Sequence, residues 1–297
     1  MNAEEAFYSS PQKAIKHKNY FPIYDEIFAK YKNTPITFVE VGVLHGGSLF
    51  MWRNFFGESA RIIGIDLNPA ALKWNNFNFE IYIGNQGDPN FWLNFYSAVG
   101  PIDVLLDDGG HTNKHQIITS LSSVSNINDG GLLVIEDTHT SFFKDFGNPS
   151  RYSFLEFTKF QIQALYNSDN RISTVGALKN KIRKISYFDG IVAFSIEKYQ
   201  QFGSENISNF GETDNATDYR NFSLKPIVRV INKLVYYMEN TPILGKSTLI
   251  FSCFNPFLHR KPLNIPFRVS ILVLIPILNA LKLGILHIED RKLRKYW

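Results

Sequence analysis

Short aliphatic and β-branched runs alternate along the chain with stretches whose apolar residues recur at helical spacing. Ile36 to Val41, Arg61 to Ile65, Phe79 to Ile83, Ile102 to Leu106 and Leu132 to Ile135 read as five strands. Ser48 to Phe56 reads as a helix, and Lys114 to Val124 as a crossover helix between the fourth and fifth strands. Residues 1 to about 34 read as a helical lead-in, with Tyr24-Asp25-Glu26-Ile27-Phe28 amphipathic and Pro35 marking its end. Asp129-Gly130-Gly131 reads as the turn before strand five, and Ser153 to Leu165 as a further helix. Lys184 to Tyr187 and Gly190 to Ile196 read as an antiparallel hairpin about the Asp189-Gly190 turn signal. This alternation predicts an α/β fold with a mainly parallel sheet, helices on both faces and a closing hairpin.

The pattern changes near residue 199. Gln200 to Asp218 is polar and rich in Asn, Ser and Gly, which predicts a first domain over 1–198, a linker over 199–219 and an extension over 220–297. The extension carries 13 Lys and Arg against Glu239, Glu289 and Asp290, a charge of +10, so the remainder holds −6 of the net +4. Residues 263–288 hold its strongest apolar stretch, but Pro276, Asn279 and Lys282 argue against a clean membrane span. Two readings stand: a helix on an anionic membrane surface, or a helix packed on the body or in a homo-oligomer interface. Basic residues interleaved with long aliphatic runs do not read as a nucleic-acid surface.

The charged share is 20% and the hydrophobic share 44%, which excludes a disordered chain. A lone Cys253 cannot form an internal disulfide, and Met1-Asn2-Ala3-Glu4-Glu5 offers no basic start to a secretion signal. A cytoplasmic location is expected, with the basic end as a contact to the inner face of a membrane under the first of the two readings.

Candidate chemistry gathers where strands end. After strand one, Glu40-Val41-Gly42-Val43-Leu44-His45-Gly46-Gly47-Ser48 places glycines between a strand and a helix, where backbone can approach a ligand. The spacing is not the dinucleotide G-x-G-x-x-G, which opposes a nicotinamide-dependent dehydrogenase. Glu40 repels a pyrophosphate but accepts from an amine, so an adenosyl compound with a cationic amino-acid end fits better. Asp66 ends strand two, where an acid can accept from both ribose hydroxyls. Gln86 and Asp88, in the loop after strand three, either meet an adenine ring or make an Asx-type turn.

Two acidic doublets follow apolar runs: Asp107-Asp108 after strand four and Glu136-Asp137 after strand five. Side chains alternate along a strand, so Asp107 and Asp108 point apart, one toward the adenosyl ligand and one toward a metal. Asp108, Glu136 and Asp137 offer an all-oxygen set suited to Mg²⁺ or Mn²⁺, whose charge relieves the repulsion among them. His111 lies three residues beyond Asp108 and reads as a general base rather than a ligand. His115 and His139 are secondary candidates, and His45 shapes its loop.

Taken together these stretches resemble the metal-dependent branch of the class I S-adenosylmethionine methyltransferases, including the macrolide-sugar O-methyltransferases and the cephalosporin hydroxylase-like proteins. Phe38 to Ser48, Gly64-Ile65-Asp66, Gly84-Asn85-Gln86, Asp107 to His111, Ile135 to Ser141, Tyr20, Tyr24 and Tyr187 to Val192 carry the resemblance, over roughly residues 17 to 198. It implies a Rossmann-like methyltransferase domain, Mg²⁺ on Asp108, Glu136 and Asp137, His111 as base, and S-adenosylmethionine on Glu40, Gly42 and Asp66. Gly46, Ser48, Gln86, Asp88 and Asp107 complete the expected cofactor site. Gly110 stands where the resemblance leads us to expect a serine. The implied reaction is O-methylation of a sugar hydroxyl on a small molecule or glycoconjugate. The alternatives are a hydroxylase on the same scaffold and a non-catalytic protein that keeps the fold.

Overall fold

The five strand-forming runs become β1 (Thr37–Val41), β2 (Arg61–Asp66), β3 (Glu80–Ile83), β4 (Ile102–Asp107) and β5 (Ile127–Ile135) in a computed structural model of the chain. The structure describes residues 1–147, 152–166 and 178–198, with Ile207, Asn209 and Gly211. Apart from those three residues the linker, and with it Cys253 and the extension 220–297 with its apolar stretch 263–288, therefore lie outside the described residues. Among those described, no helix is long and apolar enough to cross a membrane.

Two further strands, β6 (Ile182–Tyr187) and β7 (Val192–Ile196), complete a seven-stranded sheet of order 3-2-1-4-5-7-6. β1 to β5 pair in parallel, and β7 runs antiparallel to both β5 and β6. The order reverses between β1 and β4, so their carboxyl ends flank the crevice where ligands of open α/β sheets bind.

The lead-in is split. α1 (Ala3–Tyr8) and α2 (Tyr20–Phe28) are separate helices, joined by an irregular segment. Ser9-Ser10-Pro11 stops α1, because proline has no N–H and cannot continue a helix. The segment is held across the sheet's rim by Ser10, whose hydroxyl donates to the Gly47 carbonyl at 2.8 Å. Gly47 opens α3 (Gly47–Phe56), the helix after β1.

Strand alternation decides what each face of the sheet meets. Phe38, Ile62, Val104, Leu106, Leu132 and Val134 share one core with residues of α1, α2 and α3. Its centre is aromatic: the Phe38 ring lies 4.8 Å from Phe56, 5.2 Å from Trp52 and 6.2 Å from Phe28 between centroids. Val39, Ile63, Leu105 and Leu133, one position along, are buried outside that core. The remaining α-helices among the described residues are α4 (Pro89–Val99), α5 (Asn113–Ser123) and α6 (Phe154–Gln161), with α4 packed on α5 and α5 on α6.

Two expectations are corrected. Asp129-Gly130-Gly131 is not a turn before a strand but part of β5, in an exposed start where its register with β4 shifts. Gly130 has φ +77°, and its carbonyl accepts from Tyr31 Oη at 2.9 Å and Lys30 Nζ at 2.7 Å, so the irregular turn is absorbed into the strand. The loop after β3 also runs on into α4, which has Pro89 at its first position and Asp88 as its cap.

Phe38→Ala is expected to cost about 3–5 kcal/mol in urea unfolding, because the deep site between α2 and α3 cannot collapse around the void. Leu93→Ala, at a position 69% exposed on α4, is expected to stay within about 0.5 kcal/mol.

Candidate functional site

β1, β2, β4 and β5 end at one rim, around a cleft of about 720 Å³. Gly42, Leu44, His45, Asp66, Gln86, Asp108, His111, His115, Glu136 and Asp137 line it, together with Ile15, Lys16 and His17 of the lead-in segment. Gly42 has φ +95°, and a Cβ there would fall on the Asp108 carbonyl oxygen, so only glycine lets the ends of β1 and β4 approach so closely. Asp66 shapes the turn beside it, since its Oδ2 accepts from Val43 N at 3.0 Å and Leu44 N at 2.9 Å. Those two bonds fill Oδ2, but Oδ1 accepts only from Asn68 N at 2.8 Å, which leaves it a lone pair for a ligand hydroxyl in the cleft.

Strand parity sorts the acids. Glu40 pairs in register with Leu106, and Leu106 with Val134. Continuing by two residues brings Asp108 and Glu136 to the face of Glu40, above the aromatic core. All three meet Lys16, whose side chain is 2% exposed. Lys16 Nζ lies 2.6 Å from Asp108 Oδ2, 3.1 Å from Glu136 Oε2 and 3.6 Å from Glu40 Oε1. Burial alone would push this ammonium's pKa down, but Asp108, Glu136 and Glu40 outweigh it and hold the group well above its usual value. Burial raises Glu40 and Glu136, against the opposing pull of Lys16.

The odd-numbered acids go elsewhere. Asp107 is buried toward α5, with both oxygens accepting from Gln86 Nε2 at 2.9 Å and Oδ1 accepting from Gly109 N at 3.1 Å. Burial raises its pKa, and the Gln86 bond acts against that rise. Asp137 faces the cleft mouth, where Tyr20 Oη donates to Oδ1 at 2.6 Å and His111 Nε2 lies 3.6 Å from Oδ2. His111 and Asp137 both hold left-handed backbone, at φ +51° and +53°. The Thr140 hydroxyl sits between their carbonyls, 2.8 Å from His111 O and 2.7 Å from Asp137 O. Strain of this kind persists only where the surroundings over-determine it.

Ligand atoms of Asp108, His111 and Asp137 lie within 4.8 Å of one another, a spacing and donor set that fit a hard divalent cation. The buried Nδ1 of His111 has no hydrogen-bond partner among the described residues. Glu136 borders this trio, but its oxygens are held by Lys16 and by Tyr24 Oη, which donates to Oε1 at 2.6 Å. His17 and His139 flank Asp137 from the outer side.

Of the residues singled out in the sequence, Gly42, Asp66, Gln86, Asp108, His111, Glu136 and Asp137 line the cleft. Glu40, Gly46, Ser48 and Asp107 are buried outside its lining, and Asp88 is exposed at the start of α4, also outside it. Ser48 Oγ donates to Glu40 Oε2 at 2.6 Å and Trp52 Nε1 to Oε1 at 2.9 Å. Gly46 makes room for the Trp74 ring, and Asp88 caps α4 by accepting from Asn90 N at 2.9 Å. Gln86 spans the two groups, because its Oε1 also accepts from Gly110 N at 2.7 Å. Gly110 has its own reason to be glycine: a Cβ would strike the His115 ring, which occupies the space a serine side chain would take. Sequence reasoning missed Lys16, His17 and the Trp52 donor. A lysine amid Lys13, Lys18 and His17 carries no local mark of burial.

No protein-family model matches the chain. It is 30% identical over 171 residues to the 8-demethyl-8-alpha-L-rhamnosyl tetracenomycin-C 2'-O-methyltransferase of Streptomyces olivaceus, a match covering 55% of this chain and 40% of that one. It is 31% identical over 147 residues to the mycinamicin VI 2''-O-methyltransferase of Micromonospora griseorubida, over 47% of this chain and 36% of the relative. These matches thus span about two fifths of the relatives' own length. Among solved structures it is similar to the MycE methyltransferase of the mycinamycin pathway in complex with Mg and SAH, with a TM-score of 0.59 and 24% identity over 71% of this chain and 56% of that one. The described domain has the Rossmann-like fold of the class I S-adenosylmethionine methyltransferases. The curated relatives that it matches are sugar O-methyltransferases.

Trp52→Phe keeps one aromatic ring but removes the rest of the indole and with it a donor to fully buried Glu40, so it is expected to cost at least about 1–3 kcal/mol in urea unfolding. Gly110→Ser should destabilise the chain, and His115→Ala in the same protein should recover part of the loss by emptying the space the hydroxymethyl needs.

Proposed function

We propose that this chain is an S-adenosylmethionine-dependent O-methyltransferase that uses Mg²⁺ or Mn²⁺ and acts on a sugar hydroxyl of a glycosylated small molecule. The observation that carries the reading is the meeting of the carboxylates of Asp108, Glu136 and Asp137 with the His111 imidazole at a cleft walled by Gly42, Asp66 and Gln86. The named relatives, all described as O-methyltransferases, support it and rank the hydroxylase reading second.

A bound methyl donor supplies an electrophilic methyl on a cationic sulfur, and a divalent ion on Asp108, Glu136 and Asp137 makes nearby hydroxyls more acidic. The chain's own part is binding, orientation and proton transfer. Gly42 lets ligand and backbone approach at the first turn, Asp66 accepts from ribose hydroxyls, and Gln86 closes the adenine side. Glu40, Gly46, Ser48 and Asp107 hold that wall in place from behind, and Asp88 caps the helix that follows Gln86. His111 Nε2 takes the proton of the acceptor hydroxyl, and Asp137, 3.6 Å away, pairs with the imidazolium so formed. Thr140 keeps His111 and Asp137 in register for that exchange. Holding donor and acceptor in one cleft removes most of the entropic cost of their encounter.

Calorimetric titration with S-adenosylmethionine in the presence of Mg²⁺ should give one-site binding, weakened in Asp66→Ala; a folded protein that binds none rules out the methyltransferase reading. His111→Ala should keep cofactor binding and lose about 10²–10⁴ in turnover on an accepted glycoside. An unchanged kcat would remove the base assignment.

A further inference from the structure

Lys16 is the least expected occupant of this site. It belongs to neither doublet nor to the glycine turn, yet its Nζ touches Asp108 at 2.6 Å and Glu136 at 3.1 Å, two of the acids read as metal ligands. Behind it lie Glu40 at 3.6 Å and the rings of Tyr24 and Trp52, 5.9 Å and 5.8 Å from Nζ to centroid. A buried ammonium is tolerated only when paired, and here its three donors face three carboxylates. The converse also holds. Without Lys16, Glu136 would keep Tyr24 as its neutral side-chain donor, and Glu40 would keep Ser48 and Trp52. Unpaired acids so close together repel strongly in a dry interior.

A divalent ion on Asp108 and Glu136 would supply positive charge to the same oxygens. Two cations cannot both draw fully on them, because each lowers the negative potential that holds the other. Lys16 has somewhere to withdraw to: Glu40 and the two aromatic faces remain as partners if Nζ gives up Asp108 and Glu136. We propose that Lys16 is the resident counter-cation of this site, which holds the carboxylates together while no divalent ion is bound and yields Asp108 and Glu136 when one enters. The inference rests on the metal site proposed above and adds its regulation. Metal loading is thereby opposed by the chain itself and coupled to the segment between α1 and α2, whose Ile15, Lys16 and His17 line the cleft.

The test is a titration of the full chain with Mn²⁺, following free Mn²⁺ by electron paramagnetic resonance, in wild type and Lys16→Met. Thermal melts with and without Mn²⁺ accompany it. The expected result is a lower metal-free melting temperature for Lys16→Met, at least tenfold tighter Mn²⁺ binding, and a larger gain in melting temperature on adding Mn²⁺. A cooperatively folded variant that binds Mn²⁺ equally or more weakly overturns the counter-cation role and leaves the metal site standing. If neither protein binds Mn²⁺, both the inference and the metal site fall. Hydrogen exchange of residues 10–19 in the wild type serves if the variant does not fold. Faster exchange with Mn²⁺ supports the withdrawal of Lys16, and unchanged or slower exchange refutes it.

Discussion

Carboxylates can crowd the rim of one sheet only if positive charge sits among them. Glu40, Asp108 and Glu136 stand on the same face because β1, β4 and β5 run parallel in a fixed register and side chains alternate along each strand. That geometry concentrates negative charge where the interior begins and water is scarce. Lys16 answers it, and the route it takes shapes much of the domain. The chain must leave α1, cross the rim, insert one ammonium and turn back into α2. Tyr20 and Tyr24, one turn apart on α2, then donate to Asp137 and Glu136. The lead-in is therefore part of the site.

The aromatic core beneath the site follows from the same arrangement. Trp52 packs on Phe38 and also donates to Glu40, so one side chain belongs to both the core and the acid cluster. Tyr24 joins them in the same way from α2, with its ring on Trp52 and its hydroxyl on Glu136. Rigid aromatics whose polar ends are satisfied hold charged groups in place better than flexible aliphatics, because few rotamers compete. The floor under the carboxylates is stiff, whereas the opposite wall is a loop network centred on Gln86. That amide ties Asp107, Thr119 and Gly110 together and sets the path of the chain into His111.

Much of this was legible in the residues. All seven strands were foreseen to within a few positions, except that β5 begins earlier, because Gly130 lets an apparent turn continue the ladder. The divergence of Asp107 from Asp108 follows from alternation alone, as does that of Glu136 from Asp137. Their destinations do not, since alternation says which way a side chain points and not what stands there. Asp107 meets an amide from another loop, outside the lining of the cleft. α4 went unread because Asp88-Pro89 serves equally well as a turn and as the start of a helix, and only packing against α5 decides between them. Gly110 looked like a departure from a pattern until the His115 ring was found in the space it leaves.

The sequence by itself determined the parallel α/β sheet, the rim at which the acids collect, and the residue types offered there. These depend on local periodicity and on chemistry that each residue carries with it. Tertiary structure alone decided that Lys16 is buried among those acids and that Ser48 and Trp52 serve Glu40 from behind. It also decided that His111 faces Asp137. The reason is distance along the chain: Lys16 and Glu136 are 120 residues apart. A contact between them has no period, and it exists only once the sheet has brought β5 beneath the segment that leads into α2.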